Sequence, residues 1–191
     1  VIALGVPTDI VFPHIPKVLK RFNAEFPQVK VQLISSFTAE LKDQFSKGEI
    51  DIILTTEQEL DAGGETLKEA ALRWIGAPQG KAWQQRPLPS ASCQSCNFRS
   101  TSFAALDRAG IAWEDVVTTE SEVAAEASAS ADLAVLTRLE GHHPPHLELI
   151  EANGQLPDLG TSLVNIYGPH EKTEFAQRLK EIIRVSFWRL K

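Results

Sequence analysis

The stretch "TAELKDQFSKGEIDIILTT", residues 38–56, combines a short amphipathic helix with a buried strand. Leu41 and Phe45 are four residues apart and therefore share one helical face. Gly48 follows at a position where a helix readily ends in the left-handed conformation. Residues 52–54 are all aliphatic, which is typical of a strand covered on both faces in a parallel sheet. The stretch predicts a helix, its end and a buried strand.

The chain upstream predicts two more strands and a longer helix. Residues 1–7, "VIALGVP", form an apolar run that predicts a strand. In residues 8–27 the apolar side chains recur at helical spacing, and Thr8 or Asp9 is expected to cap this helix. Those apolar side chains belong to Ile15, Val18, Leu19, Phe22 and Phe26. Residues 29–35, "VKVQLIS", alternate and predict a less buried strand, so the first 56 residues predict two βαβ units and a parallel sheet.

The second half of the chain predicts a similar alternation. "LRWIGAP", residues 72–78, predicts a strand, whereas residues 79–96, "QGKAWQQRPLPSASCQSC", contain several breakers and are interpreted as irregular. The remaining predicted elements are a helix in "FRSTSFAALDRAG", a strand in "WEDVVTT", an alanine-rich helix opened by a capping box in "TESE", and a strand in "ADLAVLT". Ser100, Thr101 and Ser102 are the expected caps of the first of these helices.

The end of the chain predicts a return to the first half. An Asn153-Gly154 turn precedes the strand "TSLVNIYG", and a final helix is expected from about Pro169 to Trp188. The first half has few helices for two sheet faces, so this helix is expected to cover it. The predicted fold is α/β, with two Rossmann-like lobes joined by two crossover strands. Lobe I is expected at 1–75 and 168–191, and lobe II at 76–167.

Composition limits the classes of function. The 191 residues carry a formal net charge of -6 and are 43% hydrophobic, as in an ordinary globular protein. No apolar segment approaches the roughly 18 residues of a membrane span, and no signal peptide is recognisable. The acidic balance argues against a nucleic-acid surface, which needs clustered Lys and Arg. We therefore expect a cytoplasmic chain without membrane contact.

The chemistry available is that of binding. The sequence contains none of the common nucleophile, phosphate-loop, dinucleotide or zinc-protease motifs, so no catalytic residue and no cofactor is predicted. Polar residues that suit a small carboxylate instead stand at predicted helix starts. These residues are Thr8, Asp9, Thr38, Ser100, Thr101 and Ser121. Each alone is more often an ordinary cap, and only their convergence favours a ligand. Arg99 is either a carboxylate receptor or an ordinary surface arginine.

Cysteine and histidine give weaker signals. Cys93 and Cys96 form "CQSC" in a stretch interpreted as a loop, where two reduced thiols are favoured over a redox switch. Three histidines in "HHPPH", residues 142–146, are separated by prolines that prevent helical spacing, and the cysteines are about fifty residues away. No metal site is expected.

Several stretches together resemble one known family. "FPHIPKVLKRFNAEFPQVKVQL", "AELKDQFSKGEIDIILTT", "CNFRSTSFAALDRAGIAWEDVVTTES" and "GQLPDLG" are similar to motifs of the effector-binding domain of LysR-type bacterial transcriptional regulators. The resemblance spans essentially the whole chain. It implies a periplasmic-binding-protein type II fold that binds a small effector in the cleft between the lobes.

The resemblance also implies site residues and partners. The effector-binding positions carried over are Pro7, Thr8, Asp9, Thr38, Phe98, Ser100, Thr101, Ser121 and Thr137. Phe37 replaces a hydroxyl that is common in the family, which would favour an apolar or aromatic effector. The family's winged helix-turn-helix is expected to precede Val1, so DNA contact is expected only through that missing part. Homodimers through both lobes, with the first helix and residues 121–130 as interface candidates, and tetramers of the full-length protein are implied.

Three alternatives stay open. A solute-binding protein of a transporter shares the fold, and an enzyme on the same scaffold would need a nucleophile and base that do not stand out. A peroxide-sensing regulator using Cys93 and Cys96 is a variant of the first hypothesis. The identity of the effector, the promoter and the sign of regulation are not encoded in these motifs.

Overall fold

A computed structural model describes residues 1–188, which form nine strands and five α-helices. In chain order the strands are β1 Ile2–Pro7, β2 Val31–Ser36, β3 Ile52–Glu57, β4 Gly64–Gly76, β5 Leu88–Cys93, β6 Trp113–Thr119, β7 Leu136–Leu139, β8 Glu148–Leu149 and β9 Thr161–Tyr167. The helices are α1 His14–Glu25, α2 Thr38–Ser46, α3 Asn97–Arg108, α4 Glu122–Ser130 and α5 Glu174–Trp188. The predicted α/β fold class is confirmed.

The chain forms two compact units. The first contains Val1–Ala70 and the chain from Ser162 onward, and the second contains Ala71–Thr161. The backbone therefore passes between them within β4 and again at the beginning of β9.

The sheet of the first unit follows the order β2-β1-β3-β9-β4. β1 pairs in parallel with β2 and β3, as two βαβ units require. The parallel pairing predicted for the first 56 residues is confirmed, while β9 is antiparallel to β3, so the sheet as a whole is mixed. The reason is that β9 enters from the second unit and runs opposite to the strands of the βαβ units.

Two helix contacts build the core of the first unit. α1 packs against α5, where the Phe26 and Phe175 rings meet edge to face at 5.1 Å and Arg178 Nε donates to Glu25 at 2.7 Å. On α2, the fully buried Leu41 packs with Ile53 and Tyr167. The predicted coverage of this half by the last helix is confirmed, although α5 begins at Glu174 rather than at Pro169.

The burial of β2 differs from its sequence pattern. Leu33 is 39% exposed, whereas Ile34 packs against the cluster around Leu41. Ile34 is on the opposite face of the strand from Val29, Val31 and Leu33 in the alternating pattern. The core contact of β2 is therefore made by the face that the sequence pattern does not mark as apolar.

The second unit has a smaller core. β4 pairs antiparallel with β7 and β8, and β5 pairs in parallel with β6. Ala125 and Ala129 of α4 are buried with Ala91 and Leu136. These small side chains let α4 approach its own sheet closely, while Val123 on the same helix is 74% exposed.

The interpretation of residues 79–96 as irregular is wrong, because β5 lies within them. Leu88 and Ala91 are fully buried, and Ala91 N donates to Val135 O at 3.0 Å. Pro89 accepts from Val135 N at 2.9 Å through its carbonyl, and its missing N–H falls next to the start of the strand, where proline is tolerated. The burial of β5 between α4 and β6 stabilises the strand by more than its turn-forming residues destabilise it.

Gly168 offers a first test of the packing after β9. Its φ is +90°, and an added Cβ would lie 2.3 Å from Asp51 O. We expect Gly168→Ala to lower the free energy of unfolding by about 3 kcal/mol, from backbone strain and a clash with backbone. Gly63→Ala is the matched control, with φ +84° and no atom within 4 Å of the added Cβ, and should lose only about 1 kcal/mol. Equal losses in urea denaturation would contradict the predicted clash.

None of the described helices combines the length and the apolar character that a membrane crossing requires.

Candidate functional site

In the first unit the carboxyl ends of three strands lie at one edge of the sheet. Pro7 at the end of β1 is level with Ser36 at the end of β2. Gly5 is level with Ile53 of β3, and β3 continues past this point through Thr55 and Thr56 to Glu57. Ligand sites of α/β sheets form outside such strand ends, where loops lead into helices. The loops after β1 and β2 lead to the residues predicted to bind an effector.

Thr38 lies at the junction of α2 and β3. It is 6% exposed, and its Oγ1 accepts from Thr56 N at 3.1 Å and lies 3.3 Å from Thr56 Oγ1. Thr38 therefore fixes the start of α2 to the end of β3 rather than capping the helix. A ligand at this edge would meet a preorganised hydroxyl pair.

The predicted residues after β1 lie in a separate short turn. Pro7 is buried and ends β1, while Thr8 and Asp9 are half-buried in a 3-10 turn. The expectation that Thr8 or Asp9 caps α1 is wrong, because the residue before α1 is Pro13 and no side chain caps it. The turn separates both residues from the helix by several positions, so they belong to the strand-end loop.

A polar network that was not predicted lies beside Thr38. Glu57 accepts hydrogen bonds from Thr55 Oγ1 at 2.7 Å, Asn165 Nδ2 at 2.9 Å and Tyr167 OH at 2.7 Å, and it forms an ion pair with Lys42. Its side chain is 11% exposed. One carboxylate thus joins the end of β3 to α2 and β9.

The electrostatics of this network favour its charged form. Burial alone would raise the pKa of Glu57, but hydrogen bonds from Asn165, Lys42, Thr55 and Tyr167 hold it below the ordinary value. Burial would likewise lower the pKa of Lys42, but its bonds to Asp61 and Glu57 raise it. Burial and then the hydrogen bond to Glu57 raise the pKa of Tyr167. The ion pair is therefore fully formed at neutral pH.

In the second unit α3 carries four of the relevant side chains. Phe98 is 2% exposed, Ser100 is exposed and Thr101 is half-buried. Ser102 is buried, donates to Phe98 O at 2.6 Å and places its Oγ 3.4 Å from Thr137 Oγ1. Thr137 therefore contacts α3 at Ser102. Ser102 was predicted only as a helix cap.

The capping predictions in this unit need two corrections. The residue that caps α3 is Cys96, without a side-chain hydrogen bond, so Ser100, Thr101 and Ser102 lie inside the helix. The capping box opened by Thr119 is also wrong. Ser121 caps α4 by accepting from Ala124 N at 3.4 Å, and Thr119 Oγ1 accepts from Ser121 N at 2.9 Å.

Arg99 has its partners within its own unit. Its guanidinium donates to Ser92 Oγ at 3.0 Å and to Asp115 at 2.6 Å, and it lies 4.8 Å from the centre of the Phe103 ring. These contacts favour a structural arginine over a carboxylate receptor. Within residues 1–188, His, Cys, Asp and Glu side chains form no group of three that could hold a metal ion.

Comparison with known proteins shows the family. The model of the LysR substrate binding domain matches residues 1–138. The chain belongs to this family, so it is an effector-sensing domain of LysR-type regulators. It is 24% identical over 162 residues to the HTH-type transcriptional regulator PecT of Dickeya dadantii (strain 3937), covering 83% of this chain and 50% of that protein. The chain thus spans about half the length of this curated relative. The family match does not favour the alternative of a transporter's solute-binding protein.

Solved structures share the fold. The C-terminal domain of a probable LysR family regulator from Rhodococcus sp. RHA1 superposes with a TM-score of 0.73 at 16% identity, covering 95% of this chain and 97% of that one. The CcmR regulatory domain of Synechocystis PCC6803, in complex with 2-PG, gives 0.75 at 13% identity, covering 99% and 98%. The predicted periplasmic-binding-protein type II fold is confirmed, while the residues of the effector site stay predictions.

Some of the site residues that the sequence analysis missed could have been predicted from the sequence. Thr55 and Thr56 end the aliphatic strand that predicted the parallel sheet, and the strand-end rule that selected Thr38 applies to them equally. Lys42 is one helical turn after Thr38. Asn165 and Tyr167 were hidden, because only the antiparallel pairing of β9 with β3 brings them to Glu57.

Proposed function

We propose that this chain binds a small carboxylic or aromatic acid and that a longer regulator containing it passes the change to DNA-binding domains. The observation that carries the proposal is the alignment of the β1, β2 and β3 ends with the Thr38–Thr56 hydroxyl pair. Backbone N–H groups at the start of α2 and the hydroxyls around it suit a carboxylate. The complex of the CcmR domain with 2-PG supports a small ligand for this fold.

The proposed contacts fall into two sets, one on each unit. Pro7, Thr8, Asp9 and Thr38 form the first set, and Phe98, Ser100, Thr101, Ser121 and Thr137 form the second. Because Phe98 is buried, its share is to hold α3 in place, and the accessible hydroxyls of Ser100 and Thr101 are the contacts of that helix. Thr137 acts through Ser102.

The assembly and location follow from the family and are proposals for this chain. LysR regulatory domains belong to oligomeric regulators, and we propose a homodimer that uses α1 and α4, with a tetramer in the full-length protein. DNA binding is assigned to a helix-turn-helix outside residues 1–191, and the site of action is the cytoplasm. The chain acts as a sensor rather than as an enzyme.

Substitutions of hydroxyls test the proposed contacts. In a thermal-shift screen of small carboxylic and aromatic acids, a ligand at 100 times its dissociation constant should stabilise the chain by about 2.7 kcal/mol. Thr38→Ala and Ser100→Ala should each weaken the best ligand roughly tenfold, since one hydrogen bond is worth about 1 kcal/mol and more to a charged group. Affinities are measured by calorimetry.

Two controls keep this test specific. Thr38→Ser retains the hydroxyl and should bind like the parent chain. Ser128→Ala removes a hydroxyl that donates to Ala124 O of its own helix at 3.3 Å, and it should also leave affinity unchanged. Unchanged affinity in both Thr38→Ala and Ser100→Ala would reject the proposed contacts.

A further inference from the structure

The second unit contains a cavity that the proposed effector contacts do not use. Its volume is about 250 Å³, and its lining comes from the end of β4, the loop after β4, and β8 with the residues that follow it. None of the residues proposed to contact an effector lines it. Val135, which does line it, donates its N–H to Pro89 O at 2.9 Å. The cavity thus adjoins the amino end of β5, whereas α3 follows the carboxyl end of that strand.

Hydrogen bonds hold one wall of this cavity in place. The carboxylate of Asp132 accepts from Lys81 N at 2.8 Å and from Ala82 N at 3.0 Å. A glycine at position 80 leaves room for this carboxylate, since an added Cβ would lie 2.5 Å from Asp132 Oδ1. The indole N–H of Trp83 donates to Gly80 O at 3.1 Å. The carboxylate and the indole ring are therefore preorganised, which lowers the entropic cost of binding.

The charged side chains that line the cavity all have one sign. They are the carboxylates of Asp132, Glu148 and Glu151, and no lysine, arginine or histidine of residues 1–188 lines it. Glu151 is 3.5 Å from the guanidinium of Arg73, whereas Glu148 is exposed on β8. Such a concave surface attracts a cation and repels the acids proposed for the effector site.

Apolar and aromatic side chains form another part of the lining. Leu149, Ile150 and the indole ring of Trp83 are each half-buried. Tryptophan is the aromatic side chain that most strongly attracts a cation placed over its face. Pockets for drug-sized ligands have volumes of roughly 300 to 1,000 Å³. The smaller volume of this cavity and its lining therefore match an ammonium group on a short apolar or aromatic body.

We propose that this cavity binds a small primary amine. The ammonium group donates hydrogen bonds to the carboxylate of Glu148, and the apolar body of the amine contacts Trp83 and Ile150. Asp132 and Glu151 add negative charge around the ammonium group, although backbone N–H groups already occupy most acceptor positions of Asp132. The ligand has the opposite charge to the proposed effector and a separate place in the fold, so the inference goes beyond the proposed function.

NMR titration of the labelled 191-residue chain tests the proposal. Benzylamine is the probe, and benzyl alcohol and benzoate are its neutral and anionic counterparts of similar size. All three are titrated at constant ionic strength, because salt screens exposed charges. We expect benzylamine to give saturable shifts of the Trp83 indole N–H and of the amides of residues 148–151. Benzyl alcohol and benzoate should give no saturable shifts there.

Three variants locate the binding groups. Glu148→Gln should weaken benzylamine roughly threefold, as expected for the loss of one exposed ion pair. Trp83→Leu keeps an apolar side chain without the ring and should weaken benzylamine by a similar factor of roughly three. Glu114→Gln is the matched control, because it removes an exposed carboxylate of β6 in the same unit that does not line the cavity. Its affinity for benzylamine should equal that of the parent chain.

Other results would overturn the inference. They are a parent chain without saturable shifts at the cavity, equal saturable binding of benzylamine and benzyl alcohol, or equal weakening by Glu148→Gln and Glu114→Gln. The comparison of the three probes uses only the parent chain, so a variant that folds poorly does not decide the outcome. Acid binding at Thr38 and Ser100 is measured separately, so failure of the amine site is distinguishable from failure of the proposed function.

Discussion

Phe98→Ala is expected to lower the free energy of unfolding by about 4 kcal/mol, which is the usual cost of removing a fully packed aromatic side chain. Phe98 is 2% exposed on α3 and is among the largest fully buried side chains of residues 1–188. The loss should appear in urea denaturation as a lower midpoint with an unchanged slope. Any loss of ligand affinity in this variant would follow from the damaged fold.

Two control variants make this expectation specific. Phe98→Leu keeps most of the apolar volume and should lose less than about 1.5 kcal/mol. Ser100→Ala, two residues along the same helix, changes an exposed hydroxyl and should stay within about 0.5 kcal/mol of the parent chain. A Phe98→Ala variant as stable as Ser100→Ala would show that the Phe98 side chain is not packed in the core. Phe98 would then be assigned a direct contact with the ligand.

Glu57→Ala is the second large effect, expected to cost about 3 kcal/mol at neutral pH. The substitution removes the acceptor of three hydrogen bonds and the ion pair with Lys42. The side chains of Asn165 and Tyr167 then lose the carboxylate to which they donate. Denaturation by urea at pH 7 measures the loss. Glu40→Ala, which removes an exposed carboxylate on α2, is the control and should cost less than about 1 kcal/mol.

The effect of Glu57 should depend on pH in one direction. Its pKa in the folded chain is below the ordinary value of 4.5, so its stabilisation is fully present above about that pH. The stabilisation is lost as the pH falls through the lower folded pKa. The stability gap between the parent chain and Glu57→Gln, which keeps the shape without the charge, should therefore be constant from pH 7 to 5 and narrow toward pH 3. A gap that widens on acidification would contradict the ion pair.

The order of elements was largely predictable, because it depends on local patterns. The helical spacing of Leu41 and Phe45, the stop at Gly48 and the aliphatic β3 are properties of neighbouring residues, and the structure confirms them with α2, a φ of +74° at Gly48 and a fully buried Ile52. The reversed direction of β9 was missed, because it depends on which strand a returning chain meets.

The errors in the sequence analysis share a physical cause. β5 carries turn-forming residues, yet burial of Leu88 and Ala91 decides its conformation. Hydroxyls near helix starts were predicted as caps, but a capping role depends on a register of one residue, and α3 begins earlier than Ser100. Local propensity is weak where tertiary burial is strong.

The candidate site was predictable only in part. Strand-end reasoning and the family resemblance led to Thr38, and the structure shows its hydroxyl at the junction with β3. The environment of Glu57 depends on contacts between residues more than a hundred positions apart, such as its hydrogen bond from Tyr167 OH, and no local pattern contains them. The preference among possible acids depends on pocket shape, which the identity of single residues does not determine.

Binding of a small acid at the predicted hydroxyls is the central claim, and backbone NMR tests it most directly. A panel of small carboxylic and aromatic acids is titrated into the labelled 191-residue chain while amide shifts are followed. We predict saturable shifts for at least one acid at Thr8, Asp9, Thr38, Ser100 and Thr101, with Thr38→Ala weakening that acid roughly tenfold. Saturable shifts confined to other parts of the chain, with Thr38→Ala without effect, would contradict the account.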